Sequence, residues 1–157
     1  MLQAPAPTPV PDIALHTGTR AELRPLFELA DDSPQQLDAY IEQGRVLVAV
    51  DDEAVVGHLQ LIEDELRSMA VVEDRQGEGI GRALIARAVE ESRGAGVRTL
   101  RVATAAADIG NLRFYQRLGF RMLRVERDAF TPATGYPDDL DVNGIPLRDR
   151  IWLTRDI

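Results

Sequence analysis

Seven residues near the middle of the chain, Gln76-Gly77-Glu78-Gly79-Ile80-Gly81-Arg82, set three glycines at alternate positions. A strand-like run, Leu66–Val72, precedes them, and an amphipathic helical pattern starts at Ile80. Glycine reaches φ > 0 and lets other atoms come close to the backbone. The exposed N–H groups of such a turn, added to those of the helix start, form an anion site whose obvious guest is a phosphate. Two phosphate fingerprints fail. G-x-G-x-x-G would need glycine where Arg82 stands, and the P-loop would need a Gly-Lys pair in a chain without lysine. A turn that only joins strand to helix is the plain alternative.

A second segment shifts that balance. Asn111-Leu-Arg-Phe-Tyr115-Gln-Arg-Leu-Gly119-Phe120 begins 35 residues after Gln76 (111 − 76). Together with Gln76-x-x-Gly79-x-Gly81 it closely resembles the paired signatures of the GNAT superfamily of acyl-CoA-dependent N-acyltransferases, in the same order. The resemblance covers Arg45–Phe120 strongly and the N-terminal helices loosely. From Ala30 through Gly119 the chain is also similar to a bacterial GNAT subgroup often labelled generic or aminoglycoside-type acetyltransferase.

The resemblance implies acetyl-CoA as co-substrate. The backbone amides of Gln76, Gly77, Glu78, Gly79, Ile80, Gly81 and Arg82 would cradle its pyrophosphate, with Arg75 and Arg82 adding positive charge. Met69–Val72 would splay from Leu100–Thr104, so that Met69, Ala70 and Val71 pair with the pantetheine arm. The Met69 N–H would serve as the oxyanion donor. Tyr115 matches the family tyrosine that protonates the leaving sulfur, and a phenol is mostly protonated at neutral pH. Asn111 would hydrogen-bond the cofactor; it also suits the N-cap of its own helix. Glu65, 11 residues before Gln76 (76 − 65), matches a glutamate that deprotonates the amine in several family members, often through water. Glu63 and Asp64 adjoin it, and like charges crowded together favour proton uptake by one of them. His58 competes as base. The plain alternatives are a packed aromatic for Tyr115, a charged turn for Glu65 and a packed histidine for His58.

These groups need a scaffold, and the periodicity supplies one. Ile13–His16 reads as a first strand. Thr19 would cap a helix over Arg20–Ala30, and Pro34–Gln43 continues as a second helix ending at Gly44. Arg45–Val50, Ala54–Ile62 and Glu65–Val72 read as three consecutive strands around polar turns. The helix after the glycines carries Ile80, Leu84 and Ala88 on one stripe and runs to about Arg93. Leu100–Thr104 is a strand, Asn111–Leu118 a short helix, Phe120–Glu126 a strand and Leu147–Leu153 a last strand. Asp128–Pro146 is a polar excursion. The order predicts an α/β (α+β) fold. The resemblance implies that its sheet is mixed and mostly antiparallel, with about six or seven strands, about four flanking helices and a splayed strand pair at the cofactor site.

Composition narrows the function further. The 157 residues suit one domain over residues 13–157, after a Pro- and Ala-rich flexible tail, Met1–Asp12. The 18 basic residues are all arginine, against 26 acidic ones, and the net charge of −8 disfavours nucleic acid. No run approaches the roughly 18 apolar residues of a membrane span, and the N-terminus lacks a signal-peptide pattern. Those features predict a cytoplasmic protein without membrane or nucleic-acid partners. With no cysteine and two histidines, no metal centre is expected, and direct transfer is expected in place of a Cys-acyl intermediate.

The acceptor is expected to be a small-molecule amine. Asp31 and Asp32, with Asp138, Asp139 and Asp141, would form an acidic rim for a cationic compound: a polyamine, an aminoglycoside or an amino-acid-like molecule. Phe130, Tyr136 and Trp152 would give it an apolar wall, or simply core. The resemblance also allows a homodimer through the late strands or Asp128–Pro146. Two other readings stay open: a non-catalytic acyl-CoA sensor, and a protein N-terminal or lysine acetyltransferase, which a long open groove would favour.

Overall fold

The computed structural model describes residues 3–4 and 9–157. Half of the expected tail therefore lies outside the described residues, while Asp12, its expected last residue, already begins a strand. The elements follow as β1 (Asp12–Leu15), a 3₁₀ turn (Arg20–Leu23), α1 (Arg24–Ala30), α2 (Pro34–Tyr40), β2 (Arg45–Asp51), β3 (Ala54–Ile62) and β4 (Glu65–Val71). Then come α3 (Ile80–Gly94), β5 (Thr99–Ala105), α4 (Ile109–Arg117), β6 (Arg121–Glu126), the two-residue strands β7 (Asp141–Val142) and β8 (Ile145–Pro146), and β9 (Arg150–Asp156).

Seven strands form one sheet in the order β1-β2-β3-β4-β5-β9-β6, and β7 and β8 form a separate hairpin. Every pairing in the large sheet is antiparallel except β4 with β5. Both faces are covered, which explains the unbroken apolar run of β2. Val46 and Val48 pack with Leu23, Phe27, Leu37 and Tyr40 under α1 and α2. Leu47 and Ala49 point the other way, into a core with Leu59, Leu84, Leu100 and Leu153 under α3. Period-two alternation on a sheet buried from both sides leaves no polar register.

Several expected boundaries move. Thr19 makes no side-chain cap, and the first turn after it is 3₁₀. Ser33 does cap α2, accepting from the Gln36 N–H at 3.2 Å. That helix ends at Tyr40, short of the expected Gln43. The last strand runs Arg150–Asp156, displaced from Leu147–Leu153, because β9 lies between β5 and β6 and pairs with β5 as far as Thr99↔Asp156. Backbone pairing on both edges, not apolarity, fixes its ends.

Candidate active site

Only two ladder pairs, Glu65↔Arg101 and Leu66↔Val102, join β4 to β5. Beyond them the strands part, and Met69–Val71 and Ala103–Ala105 line opposite walls of a cleft of about 1050 Å³. The Val72 N–H donates to the Val56 carbonyl of β3 at 2.9 Å. Backbone groups alternate along a strand, so Ala70 also faces β3, while Met69 and Val71 turn their N–H and C=O groups into the gap. Gln76 Nε2 donates to the Val71 carbonyl at 3.1 Å, tying the glycine turn to the strand end.

The turn itself is open. Gly77 and Gly79 sit at φ 82° and 87°, and a Cβ on either would meet nothing within 4 Å. Conformation, not crowding, requires glycine there. Gly79 caps α3 without a side-chain hydrogen bond, and the Ala83 N–H donates to the Gly79 carbonyl at 3.1 Å. The amides from Gly79 to Arg82 therefore lack a helical acceptor, and the helix dipole adds to them. Gly81 is different: its Cβ would stand 3.3 Å from Phe114 Cζ, because α4 leans on the start of α3. This cradle fits a pyrophosphate.

One expectation about charge at this end needs correcting, at Arg75. Glu78, expected to offer its backbone amide, turns its carboxylate onto Arg75 at 3.0 Å and does not line the cleft. Arg75 is bound at 2.7 Å by Asp51 as well, so its charge is matched within the protein. Arg75 still lines this part of the wall, where Arg82, as expected, and also Arg113 and Arg117 add cationic groups.

On α4, Asp108 and not Asn111 is the N-cap, accepting from the Asn111 N–H at 2.9 Å. This frees the Asn111 side chain, which lines the cleft and donates to Thr104 Oγ1 at 3.3 Å. Tyr115 sits one layer back, 6% exposed, edge-on between Phe114 and Phe120. Burial, with the nearby charge of Asp108, pushes its phenol well above the ordinary tyrosine value. It is therefore protonated throughout the neutral range.

The other end of the cleft lies beneath α1 and α2. Pairing slips between Gln60↔Ser68 and Leu61↔Leu66, leaving Arg67 as a bulged residue. A bulge re-aims side chains, and here it puts Arg67 and Ser68 on one face. Arg67 stacks on Tyr40, Cζ 4.4 Å from the ring centroid, and contacts Glu65 Oε1 at 3.4 Å. Glu65 lines the cleft with its carboxylate between Arg67 and Arg101, the latter at 3.7 Å. Asp64 is held by Arg101 at 3.0 Å, so one guanidinium bridges Asp64 and Glu65 and offsets the expected crowding of like charge.

His58 is fully buried. Its Nε2 is hydrogen-bonded with Ser68 Oγ at 2.9 Å, its ring centroid is 4.3 Å from that of Phe27, and it does not line the cleft. Burial pulls its pKa down to about 3. It is a neutral packing residue and drops out as a base.

Asp31 and Asp32 do line the acceptor end, with Phe130 and Tyr136. Asp138, Asp139 and Asp141 do not; all three are exposed turn or hairpin residues. Trp152 is also absent from the wall, lying between Arg101 and Arg124 with its Nε1 donating to Glu126 at 3.3 Å. Two arginines that the sequence did not single out, Arg67 and Arg150, take their place. Neither belongs to a motif, so no sequence signal pointed to them.

Among the described residues, no group of three or more His, Asp or Glu side chains is placed to hold a metal ion. Nor is any helix among them long and apolar enough to cross a membrane.

The comparisons with known proteins agree with this geometry. The family model for the GNAT acetyltransferase domain matches residues 42–122. An uncharacterized N-acetyltransferase of Bacillus subtilis (strain 168), YvbK, is 32% identical over 150 residues, 92% of this chain and 96% of that one. A crystal structure of a Bacillus subtilis acetyltransferase in complex with CoA is 31% identical at a TM-score of 0.82, covering 92% of this chain and 97% of the other. A GNAT family acetyltransferase from Elizabethkingia anophelis with acetyl-CoA bound is 28% identical at a TM-score of 0.85, covering 93% and 97%. The chain belongs to the GNAT acetyltransferase family.

Proposed function

We propose that this acetyl-CoA-dependent acetyltransferase passes the acetyl group directly to the primary amine of a small molecule. The observation that favours a small acceptor is the closure of its end of the cleft. The Ser33 hydroxyl donates to the Gly135 carbonyl at 2.7 Å, Gln36 Nε2 to the Thr134 carbonyl at 2.9 Å and the Tyr136 hydroxyl to Asp31 at 3.0 Å. These bonds strap the segment after β6 onto the α1–α2 connection. A polypeptide acceptor would need an open groove there.

Acetyl-CoA supplies an acetyl group activated as a thioester. The amides from Gly79 to Arg82 bind its pyrophosphate, and the free edge of Met69 and Val71 aligns the pantetheine as an added strand. The Met69 N–H stabilises the charge that develops on the carbonyl oxygen; one such donor is typically worth about 3 kcal/mol. Asn111 holds the cofactor from the α4 side. The N–C bond forms as the C–S bond breaks. Glu65 takes the amine proton, directly or through water, and Tyr115 gives a proton to the departing sulfur. Glu65 and Asp31 also offer negative charge to the ammonium form on entry.

Two measurements test this. Acetyl-CoA should raise the melting temperature of the protein far more than NAD or ATP does. A panel of primary amines should then release free thiol from acetyl-CoA. No thermal shift at millimolar acetyl-CoA would remove the cofactor assignment. A shift without turnover on any amine would favour a non-catalytic sensor.

A further inference from the structure

The acceptor end carries two guanidiniums that the transfer chemistry leaves unused. Arg150 stacks on Phe130, Cζ 4.9 Å from the ring centroid, as Arg67 stacks on Tyr40 at 4.4 Å. Both side chains are largely buried, 20% and 26% exposed. Each touches one carboxylate: Arg150 binds Glu126 at 2.8 Å, and Arg67 approaches Glu65 at 3.4 Å. A guanidinium has five N–H donors, so each retains several for a ligand in the cleft. Both guanidiniums line the same cleft, with Tyr136 and Phe130. Stacking on an aromatic face pre-orients the donor edge, so little side-chain entropy is lost on binding an anion.

The charge balance supports the same conclusion. Asp31, Glu65 and Glu126 stand against three guanidiniums, Arg67, Arg101 and Arg150, and the exposed Asp32 adds one carboxylate at the rim. Asp31 already accepts from the Tyr40 hydroxyl at 2.7 Å, the Tyr136 hydroxyl at 3.0 Å and the Ser33 N–H at 3.0 Å. A polycation would enter against Arg67 and Arg150 with few free acceptors to receive it. A zwitterion meets complementary charge at both ends. Building on the small-amine reading above, we infer that the acceptor is an amino acid whose carboxylate is held by Arg67 and Arg150 while its amine faces Glu65. Leu29, Phe130, Val142 and Leu147 line the same space and suit an apolar side chain.

The test is a thiol-release assay on the full chain with matched acceptors. Leucine, methionine and phenylalanine are each compared with their amide and their decarboxylated amine. The free acids should exceed both analogues in kcat/KM by about tenfold or more, because a buried guanidinium pair left without its anion penalises the neutral analogue. Arg150→Gln and Arg67→Gln should each raise KM for the amino acid and bring the acid-to-amide preference toward one. Melting temperatures of the same samples separate loss of binding from loss of fold. Equal or better turnover of amides and amines by the unaltered protein overturns the amino-acid assignment alone. So does a preference that survives in both folded variants. No turnover on any acceptor, despite stabilisation by acetyl-CoA, overturns the small-amine reading and this assignment with it.

Discussion

The Tyr136 hydroxyl donates to Asp31 Oδ1 at 3.0 Å, joining residues 105 positions apart across the mouth of the acceptor site. Tyr40 donates to the second oxygen of the same carboxylate at 2.7 Å. Burial raises both phenols well above the ordinary tyrosine value, and the Asp31 carboxylate adds to that rise. One aspartate thus closes the α1–α2 connection onto the late loop.

Tyr136→Phe removes one arm of this clasp and keeps the ring on Phe130. It should cost about 1.5–3 kcal/mol of stability, the usual worth of a hydrogen bond to a charged group. The acceptor KM should rise several-fold, with the acetyl-CoA KM little changed. Paired melting and steady-state measurements check both. Equal rises in the two KM values would show that the clasp does not act on the acceptor side.

Tyr115→Phe separates chemistry from packing. The ring sits between Phe114 and Phe120, and no hydrogen bond contributes to holding its hydroxyl proton. The variant should be about as stable as the parent, since no hydrogen bond within the protein is lost with the hydroxyl. Its kcat should fall by about 10²-fold, the range of a lost general acid, with acetyl-CoA affinity intact. An unchanged kcat removes Tyr115 from the acid role.

Glu65→Gln keeps the shape of the side chain but leaves Arg67 and Arg101 facing a neutral amide. A fall in kcat/KM of about 10²-fold or more is expected for loss of a general base, accompanied by a change in the pH–rate profile. An unaltered profile would assign deprotonation to water or to the incoming amine itself.

His58 makes stability depend on pH. Its pKa is about 6.5 unfolded and about 3 folded. Its contribution is therefore fully present above about pH 6.5 and is lost as pH falls toward 3, because the unfolded chain takes up the proton first. The slope from this residue is about 1.4 kcal/mol per pH unit in that window. His58→Gln, which can still bond Ser68, should flatten the melting-temperature profile between pH 7 and pH 5. The pH dependence of turnover should stay the same; a changed one would return His58 to the catalytic candidates.

Local chemistry wrote much of this protein directly into the chain. The glycine spacing of Gln76–Arg82 determines φ > 0 at Gly77 and Gly79 and an uncapped start to α3, because only glycine holds those angles without strain. The Asn111–Phe120 segment, paired with it, identified the family. The double-sided apolar run of β2 and the stripe of α3 placed sheet and helix correctly, since periodicity depends on neighbours three or four residues apart.

What stayed illegible depends on residues brought together from afar. Arg75 reads as positive charge for the cofactor until Asp51 and Glu78 match it, and His58 reads as either a competing base or a packed residue until Phe27 and α1 bury it. The aspartates of the late loop look like a rim but remain in solvent. The acceptor chemistry rests on a one-residue slip in the β3–β4 ladder that re-aims Arg67, and on β9 delivering Arg150 to the same place. Charge pairing, burial and register are properties of the packed sheet, so only the tertiary structure could decide them.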